Sequence, residues 1–326
     1  MNIFEKRVAF KPFEYPECIS YVEAINHSYW LHSEFNYQAD IDDFHTKISE
    51  SERLAFKNTL FAISQIEVAV KTFWGDIHKH FPKPEFNAVG ATFAESEVRH
   101  SRSYSHLLEI LGFNDEFVLS LQEPCIQGRI DYLSKYLKYA SSDNKELYTL
   151  TLALFSLFIE NCSLFSQFLI IKSFNKEKNL FKGIDNVIQA TQKEETIHAL
   201  FGSYLIKKIK EQCPDWFDDD FYAKIKRACK KAFEAEVKIL DWIFQNGELD
   251  FLPKDTVVEF IKNRFNESLK LIDCETIFDI DKEKLKDVEW FDIETLSETH
   301  TDFFHKTPVN YNKKAISVTE DNLFDD

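Results

Sequence analysis

Two segments of this chain repeat one pattern, Glu97-Val98-Arg99-His100 and Glu195-Thr196-Ile197-His198, and each is preceded by a further glutamate, Glu67 and Glu160. The order is Glu, Glu-x-x-His, then the same again. Residues three apart share a helix face, so each Glu-x-x-His would present a carboxylate beside an imidazole. The glutamates fall inside apolar stripes: Leu60, Ile63, Glu67, Val70 and Trp74; Phe93, Glu97, His100, Tyr104, Leu107 and Leu111; Ala153, Leu157, Glu160, Leu164 and Phe168; Ile188, Thr191, Glu195, His198 and Leu205. Polar residues at i±3, i±4 and i±7 from apolar ones point inward. Carboxylates gathered in a core must hold protons or face cations.

Spacing adds a depth. Glu67 is 13 residues before His80 and Glu97 is 12 after Glu85; Glu160 is 13 before Ser173 and Glu195 is 12 after Gly183. At ~1.5 Å per residue each ligand would lie ~18–20 Å from its hairpin end. Two antiparallel hairpins would then bring four carboxylates and two imidazoles to one level. Six such ligands suit two divalent ions, iron or manganese by donor type. Glu from two helices and Glu-x-x-His from two others is the ferritin-like dimetal arrangement.

The rest of the chain agrees with an all-α fold, a ferritin-like four-helix bundle with additional helices. With 326 residues and 44% hydrophobic content it can bury a sizeable core. Gly and Pro number only 7 and 8, which favours long helices over turns. Helical periodicity predicts helices at roughly 20–33, 51–80, 85–111, 124–140, 145–173, 183–211, 218–246 and 255–269. Gly112 is an expected helix terminus and Asp218 an expected N-cap. Residues 1–305 are expected to form one domain. Residues 306–326 read as a flexible acidic tail with an apolar pair, Leu323-Phe324.

Charge and composition exclude some roles. A net charge of −16 disfavours binding nucleic acid through its phosphates. No apolar run approaches the roughly 18 residues of a membrane span, and no signal peptide is expected at Met1–Lys11. Cys18, Cys125, Cys162, Cys213, Cys229 and Cys274 form no CxxC pair and read as reduced thiols of a cytoplasmic protein.

Glu97-Val-Arg-His-Ser-Arg-Ser-Tyr104-Ser-His resembles the metal-binding helix of the class I ribonucleotide reductase small (beta) subunit. The Glu195-Thr-Ile-His198 helix and the segment Glu160-Asn-Cys-Ser-Leu-Phe resemble it too, and the likeness runs from about Trp30 to the tail. The resemblance implies a homodimer whose dimetal centre generates a cysteine radical in a large (alpha) subunit, for reduction of ribonucleotides to deoxyribonucleotides. It implies Glu67, Glu97, His100, Glu160, Glu195 and His198 as ligands. Common di-iron members carry aspartate where this chain has Glu67; glutamate there resembles manganese-using branches. Two Mn are therefore expected, with Mn/Fe or Fe/Fe as alternatives.

The resemblance also implies roles for four other residues. Tyr104 takes the place of the radical tyrosine, or is a core tyrosine beside metals that initiate directly. Trp30 and Glu194 match the electron-transfer tryptophan and the acid that orients a metal-bound histidine. Tyr311 matches a tail tyrosine that passes the radical between subunits, and the tail would dock the large subunit. Each has a plainer alternative, as a packing, solvated or ordinary tail residue. For the whole chain the competing readings are a dimetal oxidase or monooxygenase component, and a metal store.

Overall fold

The computed structural model describes residues 2–295, apart from the side chains of 68–71. Its helices are α1 (Glu17–His27), α2 (Gln38–Thr46), α3 (Glu50–Gly75), α4 (Pro84–Ile110), α5 (Asn114–Ser120), α6 (Pro124–Ala140), α7 (Lys145–Ala153), α8 (Leu164–Lys178), α9 (Lys182–Gln212), α10 (Asp219–Ile243), α11 (Lys254–Leu271) and α12 (Lys282–Leu285). The stretch Leu154–Ser163 joins α7 to α8 as a π-helix, so the two form one continuous rod. No β-strand occurs among the described residues beyond a single bridge, Leu249 to Leu252.

Local chemistry sets many of these ends. Ser49 Oγ accepts from Glu52 N while Glu52 returns a bond to Ser49 N, a capping box that starts α3. Pro84 opens α4, where its missing N–H costs nothing. Gly112, at φ 76°, follows the end of α4, and Asp218 accepts from Phe221 N at 2.8 Å to start α10; both match the sequence expectation.

The start of α9 is capped from a distance. Asp43 accepts from Phe181 N and Asp40 from Gly183 N, both from α2. A Cβ on Gly183 would run into Asp40 and the Asn36 carbonyl. The helix α2 was not expected, because its Asp-rich sequence carries no apolar stripe; it earns its place by these caps.

Four other expectations change. The first helix ends at His27 rather than near 33, because Ser28 Oγ bonds back to the Ala24 and Ile25 carbonyls; Trp30 therefore lies beyond the helix. The third helix ends at Gly75 and α8 continues to Lys178, closing at Asn179 in the left-handed region. The rod Lys145–Lys178 does have the length and hydropathy of a membrane span, but its apolar window is wholly buried in protein.

The core bundle is α3, α4, the π-containing rod and α9, with α3 and α4 packed along their length. Around it, α1 covers α4 and α9, while α10 and α11 pack on the rod. The core is dominated by phenylalanines such as Phe56, Phe93, Phe155 and Phe168, all fully buried. Burial of this kind stabilises by roughly 25 cal/mol per Å² of apolar surface.

Candidate metal centre

Each bundle helix delivers its expected residues to one buried point. Glu67 comes from α3, Glu97 and His100 from α4, Glu160 from the π-helix, and Glu195 and His198 from α9; all six are fully buried. Glu97 and Glu195 are central. Glu97 places Oε2 3.5 Å from His100 Nδ1 and Oε1 3.1 Å from His198 Nδ1. Glu195 places Oε1 3.0 Å from His100 Nδ1 and Oε2 3.4 Å from His198 Nδ1.

Glu67 stands 3.6 Å from His100 Nδ1 and Glu160 3.8 Å from His198 Nδ1. Two overlapping groups result, Glu67–Glu97–His100–Glu195 and Glu97–Glu160–Glu195–His198, each with its ligand atoms within 4.8 Å of one another. The shared pair, Glu97 and Glu195, could bridge two ions, with one terminal glutamate and one imidazole for each.

The donor atoms fit cations. Both oxygens of Glu67, Glu97 and Glu195, Glu160 Oε2 and the Nδ1 of both histidines are buried without a hydrogen-bond partner. Leaving so many acceptors unpaired in a core is costly, and two divalent ions would satisfy them together. Burial pushes Glu67 up to about 8 against the pull of His100. Burial, helped by the Glu195 charge, also raises Glu160. For Glu97 burial is outweighed by the two histidines, and its carboxyl falls to about 2. Burial opposes charge on the histidines, but the carboxylates prevail: Glu194, Glu195 and Glu67 hold His100 well above its usual range, and Glu195 and Glu97 bring His198 to about 10.

The outer contacts are specific. His100 Nε2 meets Glu194 Oε2 at 2.7 Å, and Trp30 Nε1 donates to the same oxygen at 3.3 Å. The Trp30 ring lies 6.1 Å from the His100 ring and nearly parallel to it. Glu194 is fully buried and its carboxylate reaches His100 Nε2 directly. Arg99 completes this cluster: its NH1 and NH2 donate to Glu194, its Nε to Glu95, and its guanidinium lies 4.6 Å over the Tyr29 ring.

On the other side, His198 Nε2 meets Ser96 Oγ at 3.1 Å, and Trp74 Nε1 donates to Glu160 Oε1 at 2.6 Å. Such partners fix the tautomer and leave Nδ1 facing the ligand cluster. Tyr104 is buried and its hydroxyl makes no hydrogen bond of normal geometry. Burial and the Glu67 charge push its phenol well above the usual range.

Sequence reading singled out neither Arg99, Ser96 nor Trp74 for a role here. Trp74 stood in the Glu67 stripe, and Ser96 stands one residue before a ligand, as Glu194 does; that parallel was the available signal. Tyr311 and residues 306–326 lie outside the described residues. All six cysteines are free thiols.

Comparison with known proteins agrees with this geometry. Residues 7–284 match the family model "Ribonucleotide reductase, small chain". A probable ribonucleoside-diphosphate reductase small subunit of invertebrate iridescent virus 3 is 26% identical, over 97% of this chain and 87% of its own. Among solved structures, a putative class I ribonucleotide reductase from Bacillus halodurans superposes with TM-score 0.78 at 15% identity, covering 86% of this chain and 99% of its own. The dimanganese(II) NrdF of Streptococcus sanguinis superposes with TM-score 0.68 at 15% identity, covering 86% and 96%. Likeness at such identities speaks for the fold.

Proposed function

The chain belongs to the ribonucleotide reductase small-chain family, and from that premise we propose that it is the radical-initiating beta subunit of a class I ribonucleoside-diphosphate reductase. The observation that carries the reading is the pair Glu97 and Glu195, each with one oxygen toward each imidazole. When bound, two metal ions would supply the oxidising equivalent that leads to a cysteine radical in the large subunit.

The protein's own residues do the rest. Glu67, Glu97, His100, Glu160, Glu195 and His198 hold the pair in a water-excluded core. Glu194 holds His100 in one tautomer and is itself held by Arg99, so the imidazole keeps its orientation. Trp30, hydrogen-bonded to that carboxylate, would be the electron donor to a bound metal pair. The indole N–H donates to Glu194 Oε2, which places an acceptor beside the ring where positive charge would develop on electron loss. Tyr104 is the radical site or the close neighbour of a metal-based initiator.

The metals we propose are two Mn. The support is Glu67, whose extra methylene distinguishes this chain from aspartate-bearing di-iron members; Mn/Fe and Fe/Fe pairs satisfy the same donors. We further assign residues 306–326 to docking the large subunit, with Leu323-Phe324 as apolar anchors, acidic flanks for orientation, and Tyr311 as the relay across the junction. The working form is a cytoplasmic homodimer.

The test is turnover of a ribonucleoside diphosphate by the Mn-loaded protein with the large subunit. Deletion of 306–326 should abolish turnover and leave metal content unchanged. Full turnover by the truncated chain would overturn the reductase reading in favour of a dimetal oxidase, and many metals per chain would favour a store.

A further inference from the structure

Glu160 is the one ligand borne by a π-helix rather than an α-helix. A π-helix is rare and poorly stabilised by its own bonds, and short π segments cluster at functional sites. In an α-helix one residue of register is about 100° of rotation. If Leu154–Ser163 closed up into α-helical bonding, Glu160 would turn away from His198 and from Trp74. Something outside the rod must hold the wider turn.

The contacts that do so come from two sides. On one side is α11, which supplies none of the six ligands. Ser268, fully buried, donates from Oγ to the Leu157 carbonyl at 3.2 Å and accepts from Asn161 Nδ2 at 2.8 Å. Arg264 Nε donates to the Asn161 carbonyl at 2.8 Å, its NH2 donates to Asn161 Oδ1, and its guanidinium stacks 3.8 Å from the Phe165 ring. Asp292 anchors the far side of Arg264 at 3.2 Å. Within the rod, Cys162 Sγ and Ser163 Oγ bond to carbonyls five residues back, those of Leu157 and Phe158. On the other side α9 comes close at Gly202: a Cβ there would run into the Cβ and Oγ of Ser156, inside the π segment.

We infer that Ser268 and Arg264 on α11, with Gly202 on α9, form a bracket that holds the π register of residues 154–163 and thereby positions Glu160. They are positioning residues, acting on the centre only through Glu160. The bracket grips the residue after Glu160 at both its carbonyl and its side chain, and grips the carbonyl three residues before it. It therefore spans the one ligand whose helix geometry is irregular. The Glu67–His100 side of the centre has no comparable dependence, because α3 and α4 are regular helices. Loosening the bracket should weaken the Glu160–His198 position selectively. The inference rests on the reading of Glu160 as a ligand.

The test uses the full chain and Mn²⁺ alone, with calorimetric titration, electron paramagnetic resonance of the loaded protein and thermal melts. Ser268→Ala and Arg264→Gln should keep one Mn²⁺ at wild-type affinity, weaken the second by about tenfold or more, and reduce the spin-coupled signal of the pair. Gly202→Ala should do the same by pressing on Ser156, and adding Ser156→Gly, which removes the obstructing Cβ, should restore the second site. This size-swap pair tests the inference even if a bracket variant fails to fold. Two sites within about twofold of wild type in Ser268→Ala and Arg264→Gln, with only a lower melting temperature, would overturn it. So would a folded Gly202→Ala/Ser156→Gly protein in which the second site stays weak. Wild-type protein that takes up no Mn²⁺ pair would sink the ligand reading as well, and so is told apart from failure of the bracket alone.

Discussion

Ser96 and Glu194 occupy equivalent positions, one residue before the glutamate of each Glu-x-x-His, and each holds the Nε2 of the histidine on the opposite helix. The two contacts differ in charge. His198 rests on a neutral hydroxyl that also donates to the Phe93 carbonyl, so the imidazole is the donor. His100 rests on a carboxylate shared with Trp30 and Arg99. The centre is thus electrostatically lopsided, with Trp30, the proposed electron donor, on the carboxylate side.

That asymmetry predicts unequal consequences of two small changes. Ser96→Ala should weaken metal binding by about tenfold and spare the transfer route, so that saturating metal restores turnover. Glu194→Gln keeps the shape but removes the charge that Trp30, His100 and Arg99 all meet. Turnover should fall by more than about tenfold even at full metal occupancy, as measured with the large subunit and a parallel metal assay. Equal rescue of both variants by excess metal would contradict the asymmetry.

A second prediction separates shared from terminal ligands. Glu97→Gln and Glu195→Gln each take the charge, and one of the two oxygens, from a carboxylate that both overlapping groups share, whereas Glu67→Gln and Glu160→Gln each touch one group. Metal analysis after desalting should find the first two variants nearly empty. The second two should retain about one ion per chain, given that losing one ligand typically weakens a site without erasing its neighbour. A chain that still holds two ions after Glu195→Gln would remove that residue from the centre.

Much of this was legible in the order Glu, Glu-x-x-His, repeated. Helical periodicity was strong around Glu97 and Glu195 because residues three, four and seven apart share one face of a regular α-helix. The same regularity concealed the π-helix: a stripe through Leu157, Glu160 and Leu164 looks α-helical, and the contacts that open it, from Ser268 and Arg264, come from about a hundred residues further along. The short helix α2 was invisible for a related reason, since Asp40 and Asp43 act on a distant helix end rather than on their own. Ser96 looked like any helical serine until its partner on α9 was seen.

The pH dependence of metal loading follows from the protonation of the metal-free centre. Glu67 (about 8) and His198 (about 10) carry protons at pH 7 and Glu97 (about 2) does not, while burial pushes Glu160 toward its neutral form and the surrounding carboxylates favour charge on His100. Metal and proton compete for the same atoms. Affinity should therefore rise with pH across neutrality, and loading should release protons, more than one per pair of ions at pH 7. Titration calorimetry in buffers of different ionisation enthalpy measures the release. The sign for folding is separate. Glu67 has a folded value above that of the unfolded chain, so its contribution to the metal-free protein's stability is largest at acid pH. That contribution falls as pH rises toward about 8. Glu67→Gln should flatten that fall in a melting series without metal.

Tyr104 offers the sharpest choice between initiators. Its hydroxyl is fully buried and has no well-formed hydrogen bond, with Thr191 its one side-chain neighbour of hydrogen-bonding character, so removing it deletes a poorly satisfied polar group. Tyr104→Phe should accordingly leave the melting temperature unchanged or slightly raised. Its phenol is held far from ionisation by burial and the Glu67 charge, so losing an electron from this ring requires the proton to leave at the same time. With Mn in both positions, the expected outcome is that Tyr104→Phe keeps turnover within roughly tenfold of wild type, a barrier change under about 1.4 kcal/mol. The paramagnetic resonance spectrum should then show a multiline manganese signal and no narrow organic one. A narrow signal in the wild type that disappears in Tyr104→Phe, together with turnover, would instead place the stored oxidising equivalent on this tyrosine.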